Sequence, residues 1–159
     1  MEWRKMRRFK QEISEAECLE VLKESPRGVL SMFGENGYPY GIPLDFYYDA
    51  QDGKIYFHGA KEGNKLDLLQ KDNHVCFTVM DQGCRKEGDW ALYIRSVVIF
   101  GRIEKVEDPD KAFQETVKIG RKYYPPEEDM EAYARKYEKA LTILCLSIDH
   151  MSGKLVHEK

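Results

Sequence analysis

Residues 55–69 read Ile55-Tyr56-Phe57-His58-Gly59-Ala60-Lys61-Glu62-Gly63-Asn64-Lys65-Leu66-Asp67-Leu68-Leu69. A β-branched and aromatic run, a turn with two glycines and an amphipathic start follow in order, so the segment predicts strand, tight turn, helix. Such a turn can aim several backbone N–H groups at one point, and the helix start adds positive dipole character there. Lys65 would bring an ammonium to the same place. Together they suit a phosphate monoester on a small cofactor. Taken alone, the segment fits an ordinary strand-to-helix connection with solvated lysines better, because short glycine turns are common.

Upstream, Ser14-Glu15-Ala16-Glu17 has the capping-box pattern, and Cys18, Leu19, Val21 and Leu22 follow at helical spacing. Pro26 and Gly28 end that helix. Residues 28–34 (GVLSMFG) predict a strand, Glu35-Asn36-Gly37 a hairpin turn, and residues 41–48 (GIPLDFYY) a second strand. Asp52-Gly53 turns the chain into the strand that ends at His58. Three strands joined by tight turns predict a meander. Pro43 has no ladder N–H to give, so it belongs at an edge, a bulge or a gap in pairing, where neighbouring backbone groups can meet a ligand.

Downstream, residues 74–80 (HVCFTVM) predict a fourth strand, 81–89 a polar loop, and Trp90 to about Val106 a long fifth strand containing Val97-Val98-Ile99-Phe100. Four consecutive apolar residues imply cover on both faces. A barrel interior covers one, and a second copy of the chain is the simplest cover for the other. Asp108-Pro109 starts a helix running to about Tyr123. Pro125-Pro126 breaks it, 127–140 resumes helical patterning, and 141–148 (LTILCLSI) is a last strand. The expectation is a mainly β protein, a six-stranded antiparallel barrel with helices outside it, forming one domain over residues 1–159.

With 159 residues, 42% hydrophobic and 33% charged, the composition is that of a soluble globular domain. A net charge of -3 argues against nucleic acid as partner. Cys18, Cys76, Cys84 and Cys145 form no CxxC pair, so neither a zinc site nor a dithiol centre is expected. Three of them sit in apolar sequence and read as buried hydrophobes. The basic start (Arg4, Lys5, Arg7, Arg8, Lys10) has no apolar run behind it, and no stretch approaches the ~20 apolar residues of a membrane span. A cytoplasmic protein without membrane contact is expected.

Several motifs now stand in order: Met6-Arg7-Arg8, Gly41-Ile42-Pro43-Leu44, Tyr56-Phe57-His58-Gly59-Ala60 with Gly63 and Lys65, residues 93–101 (YIRSVVIFG), and residues 148–154 (IDHMSGK). In this order and spacing the chain resembles the FMN-binding split barrels related to pyridoxamine 5′-phosphate oxidase, and within them the 5-nitroimidazole-resistance (Nim) type. The resemblance implies a barrel that dimerises, with one FMN in each of two clefts between subunits. It places the phosphate at Lys65, Asn64 and the Gly59-Ala60 turn, and the isoalloxazine along the backbone of Pro43 and Leu44. Arg95 and Ser96 would complete the site from the partner subunit. His58 would contact the cofactor and act in reduction, or hold the ribityl and phosphate groups structurally. Tyr47, Tyr48, Trp90 and Tyr93 are candidates to line the ring's exposed face. No arginine-rich C-terminal segment of the oxidases themselves is found. The implied function is an FMN-dependent oxidoreductase reducing small planar acceptors such as nitroaromatic compounds. A nicotinamide donor, NAD(P)H, would bind only transiently, because no Rossmann fingerprint is present. The alternatives are a non-catalytic flavin or electron carrier, and a barrel binding haem or a deazaflavin.

Overall fold

The computed structural model describes residues 2–157. After a 3₁₀ turn at Phe9–Gln11, α1 (Glu15–Glu24) begins at the expected capping box. The Ser14 hydroxyl accepts from the Glu17 amide at 3.3 Å, and the Glu17 carboxylate accepts from the Ser14 amide at 2.8 Å. The chain continues through β1 (Arg27–Phe33), β2 (Pro39–Asp45), β3 (Tyr47–Asp49), β4 (Lys54–Ala60), α2 (Asn64–Lys71) and β5 (His74–Met80). A two-residue strand β6 (Cys84–Arg85) interrupts the predicted loop. Then follow β7 (Leu92–Lys105), α3 (Pro109–Tyr123), α4 (Met130–Tyr137) and β8 (Leu141–Val156).

All pairings are antiparallel, in the order β2-β1-β5-β7-β8-β4-β3, with β6 on β7. The predicted strand at 41–48 is therefore two strands. A single residue, Phe46, separates β2 at one sheet edge from β3 at the other, so the sheet curls until its edges meet at one bend. Counting β2 and β3 as one bent strand and setting β6 aside, the expected six strands are present. The last strand runs to Val156 rather than stopping at Ile148, because β7 offers it partners from Lys105 back to Ile94.

The interior is filled by alternate residues of β1, β4, β5, β7 and β8, among them Leu30, Ile55, Phe57, Phe77, Ile99 and Leu146, all fully buried. Phe77 receives Phe46 and Phe57 edge-on, each at 5.1 Å. Gly28 makes room for that ring: a Cβ there would lie 2.4 Å from Phe77 Cζ. α1 contributes Cys18, Val21 and Leu22, and α2 contributes Leu68 and Leu69, to the same core. Of the cysteines only Cys18 is buried; Cys76 and Cys145 are half-buried and Cys84 is exposed.

α3 covers the outer face of β4 and β8, where Ile119 packs with Tyr56 and Ile143. It is pinned there by ion pairs around the buried Glu115, which accepts from Lys111 at 3.0 Å and Lys118 at 2.9 Å. Those lysines also reach Asp52 and Asp49 on the β3–β4 hairpin. Across β1, β5 and β7 the outer face is apolar and open. One row runs Pro43, Val29, Thr78, Val98, Ser152, and the next Gly41, Ser31, Cys76, Phe100, His150. Phe33 and Met80 are each 66% exposed beside them, which makes the patch continuous. Trp3 stacks on Phe100 and His150 at 5.3 and 4.8 Å at its rim. Among the described residues no helix is long and apolar enough to cross a membrane.

Candidate functional site

The bend at Phe46 creates the site. β3 pairs with β4 only from Lys54 to Tyr56, so Phe57 to Ala60 have β8 on one side and no strand on the other. β2 pairs only with β1, so Ile42 to Asp45 likewise present an unpaired edge. The two edges diverge from Phe46 and leave a slot with free backbone on both sides. Pro43 lies on the slot-side strand opposite Val29, an edge position where its missing N–H interrupts no ladder.

The end of α3 holds the bend open. The Tyr123 hydroxyl accepts from the Phe46 amide at 2.8 Å and stands 2.7 Å from the Pro26 carbonyl. Lys122 donates to the carbonyls of Ser25 and Phe46, both at 2.9 Å, with its ammonium 3.9 Å from the Phe46 ring centroid. Burial pushes the Lys122 ammonium down to about 8, against the attraction of Asp45. Burial also raises the Tyr123 phenol to about 12, so it stays protonated at any physiological pH.

At the far end of the slot the turn after β4 reaches α2 as predicted. Gly63 has φ 132°, a backbone conformation suited to glycine, and carries no side chain to cap the helix. Its carbonyl accepts from the Leu66 and Asp67 amides, so the Asn64 and Lys65 amides stand in the first turn without a helical acceptor. Lys65 folds back over β4. A Cβ on Gly59 would lie 3.1 Å from Lys65 Nζ, so the glycine lets the ammonium rest on the strand backbone. Lys65 has no carboxylate partner among the described residues, and burial lowers its pKa. A desolvated, unpaired ammonium beside free amides is a seat for an anion.

His58 is exposed at the slot, next to that ammonium. The crowding around its ring lowers its pKa first, and the Lys65 charge adds to the effect, while Asp45 opposes it. The imidazole is neutral at pH 7 and carries one donor and one acceptor nitrogen. His58, Gly59, Ala60, Asn64 and Lys65 thus form one cluster, with Pro43 and Leu44 on the opposite edge of the slot.

Arg95 and Ser96 are not part of it within one chain. They lie ten residues from the Lys105 end of β7, about 30 Å along the strand. Ser96 shares the outer face with Val98 and Phe100. Arg95 shares the inner parity with Val97 and reaches α1, bonding Asp81 and Glu20 at 3.0 Å and Glu24 at 3.3 Å. The aromatic candidates are also elsewhere. Tyr47 packs with Tyr56, Tyr48 against the interior core, Tyr93 beside His157, and Trp90 is 64% exposed. Asp45, Lys122 and Tyr123 are the residues that sequence reading missed. The only sequence signal for Lys122 and Tyr123 is the polar end of an amphipathic helix, which does not say what the helix end will touch, and Asp45 reads as an ordinary carboxylate at the end of β2.

A family profile described as pyridoxamine 5′-phosphate oxidase matches residues 14–155. No curated protein matches the chain. Among solved structures, a Bacteroides thetaiotaomicron protein described as a candidate for 5-nitroimidazole antibiotic resistance is similar. It has a TM-score of 0.77 at 21% identity, over 92% of this chain and 87% of that one. A conserved hypothetical protein of Mycobacterium tuberculosis has a TM-score of 0.79 at 21% identity, over 94% and 90% of the two chains. An FAD-binding protein of Mesorhizobium loti has a TM-score of 0.65 at 23% identity, over 92% and 97%. At these identities the likeness is one of fold.

Proposed function

The chain belongs to the pyridoxamine 5′-phosphate oxidase family, and from that premise we propose that it is a flavoprotein binding FMN in the slot between β2 and β4. The observation that carries this reading is the desolvated Lys65 ammonium resting over Gly59 with no carboxylate partner. The chain's residues fit the group: a phosphate would pair with Lys65 and with the free amides of Asn64 and Lys65. The exposed backbone edge of Pro43 and Leu44 suits one side of a flat ring. His58 lies between these two and would donate or accept a hydrogen bond there. The Mesorhizobium loti protein's flavin supports the cofactor class.

When bound, flavin supplies electron and hydride transfer. The protein's contribution is to hold the ring at an edge where a small planar acceptor, such as a nitroaromatic compound, can stack. Neutral His58 is placed to give or take a proton beside it. A nicotinamide donor visits the same open slot. The working form is a cytoplasmic homodimer. The open apolar rows on β1, β5 and β7 are the surface a second copy would cover, and the partner subunit's Ser96, which faces that surface, would close the slot. Arg95, tied by three carboxylates, holds α1 against β7.

The test is the absorbance spectrum of the purified protein, with mass identification of the released chromophore, followed by reoxidation of the reduced protein with a nitroaromatic compound. Flavin bands, FMN on release and reoxidation by the nitro compound are expected. A haem or deazaflavin spectrum would replace the reading, and flavin that no nitro compound reoxidises would make the protein a carrier.

A further inference from the structure

We propose that Tyr56, Asp52 and Cys145 form a one-electron relay that quenches an oxidising radical arising in the slot and passes it to a thiol. Only the source of the radical rests on the flavin reading above. Tyr47, Tyr56 and Cys145 stand directly opposite one another on β3, β4 and β8, so their side chains form one row on the outer face of the sheet. α3 covers that row with Ala112 and Ile119. Tyr56 is 2% exposed. It lies two residues before His58 on the same face of β4, about 7 Å away along the strand.

A phenol that gives up an electron must also give up its proton, so a phenol becomes a usable donor when a base is already bonded to it. The Tyr56 hydroxyl donates to the Asp52 carboxylate at 2.5 Å, and the Lys111 ammonium holds the same carboxylate at 3.1 Å. Burial opposes the charge on Asp52, but the bonds from Tyr56 and Lys111 outweigh it and keep the carboxyl below its ordinary range. The base is therefore ionised at pH 7, and with its side chain 29% exposed it can pass a proton on to water. Cys145 is within hydrogen-bonding reach of the same phenol, and burial raises its pKa, so the sulfur keeps a hydrogen atom to give. The thiol is only half-buried, which leaves it open to small molecules.

The steps balance as follows. The hydroperoxyl radical, which a reduced flavin and dioxygen produce, takes one electron from Tyr56 and becomes the hydroperoxide anion, while the phenolic proton moves to Asp52. The phenoxyl then takes the hydrogen atom from Cys145 Sγ, which restores the phenol and leaves a thiyl radical. A small soluble thiol returns a hydrogen atom to Sγ and departs as its own radical.

Pulse radiolysis of the flavin-free protein with azide radical as oxidant tests the relay, with a nitrone to trap thiyl radicals and peptide mass spectrometry to locate them. A nitrone adduct on Cys145 is expected, and it should vanish in Tyr56→Phe, which keeps the ring in the row. Asp52→Asn should slow its formation by about a hundredfold, the lower end of what a positioned base contributes. Cys145→Ser should lengthen the life of the phenoxyl absorption. No adduct in the folded parent, an undiminished adduct in Tyr56→Phe, or an unchanged phenoxyl lifetime in Cys145→Ser overturns the proposal. Aerobic reoxidation of the reduced FMN-loaded protein should give the same adduct. Its absence there, with the azide result intact, leaves the relay standing and overturns the placement of the flavin beside His58.

Discussion

The Tyr123 hydroxyl satisfies the backbone of Phe46, accepting from its amide at 2.8 Å where the sheet changes edge and no ladder partner exists. A residue at the end of a flanking helix thus supplies the hydrogen bond that the bend in the barrel takes away. Tyr123→Phe leaves a buried amide unpaired and should cost about 1–3 kcal/mol. Urea denaturation with an unchanged m-value would check it. A variant as stable as the parent would show that water replaces the hydroxyl.

Lys65→Ala should weaken FMN binding by about tenfold or more, the worth of a charge-assisted contact of roughly 1.5–3 kcal/mol. Lys61→Ala should leave FMN affinity nearly unchanged, because Lys65 and not Lys61 comes within 4 Å of a Cβ placed on Gly59. Flavin fluorescence quenching measures both. Equal losses would remove the assigned phosphate position.

Val97 and Val98 are adjacent yet should behave oppositely. Val97 is fully buried in the barrel, so Val97→Glu places a charge in the core and should abolish folding. Val98 lies in the open row with Val29 and Thr78, so Val98→Glu should give a folded monomer that has lost its flavin. Sedimentation and circular dichroism distinguish the two. A Val98→Glu dimer with full flavin content would place the interface elsewhere.

The Lys122 ammonium, at about 8, titrates well below its ordinary 10.5. Between those values the unfolded chain holds the proton that the folded chain has released, so this residue's contribution to stability rises with pH. The stability of the parent relative to Lys122→Met should therefore climb from pH 8 toward 10. Thermal denaturation across that range checks the sign, and a flat difference would mean that Lys122 is solvated.

His58 and Lys65 both have lowered pKa values, His58 through burial and then the Lys65 charge, Lys65 through burial. A phosphate dianion between them should raise both, so FMN binding near pH 6 should take up protons. Calorimetry in two buffers of different ionisation heat reads the uptake. It should disappear in His58→Gln, whose side chain keeps a hydrogen-bonding amide but does not titrate.

Local patterns determined a good deal by themselves. The capping box at Ser14, the strand-turn-helix at 55–69 and the Asp108-Pro109 helix start are contacts between residues a few positions apart, so composition and spacing suffice to read them. The approach of Lys65 to Gly59 was legible for the same reason, since the two lie six positions apart around one turn. Other features depended on which edges meet when the sheet curls. Phe46 lies in the middle of an unbroken β-patterned run, and only closure of the barrel, with β2 and β3 at opposite edges, makes it a bend. The parity of Val97 against Val98 had the same origin, because four apolar residues in a row carry no alternation from which to choose a face. Arg95 and Ser96 followed that parity, one turned to α1 and the other to the open surface. The roles of Tyr123 and Lys122 rested on contacts with residues 76 or more positions away, and such pairings are set by packing, which local sequence does not encode.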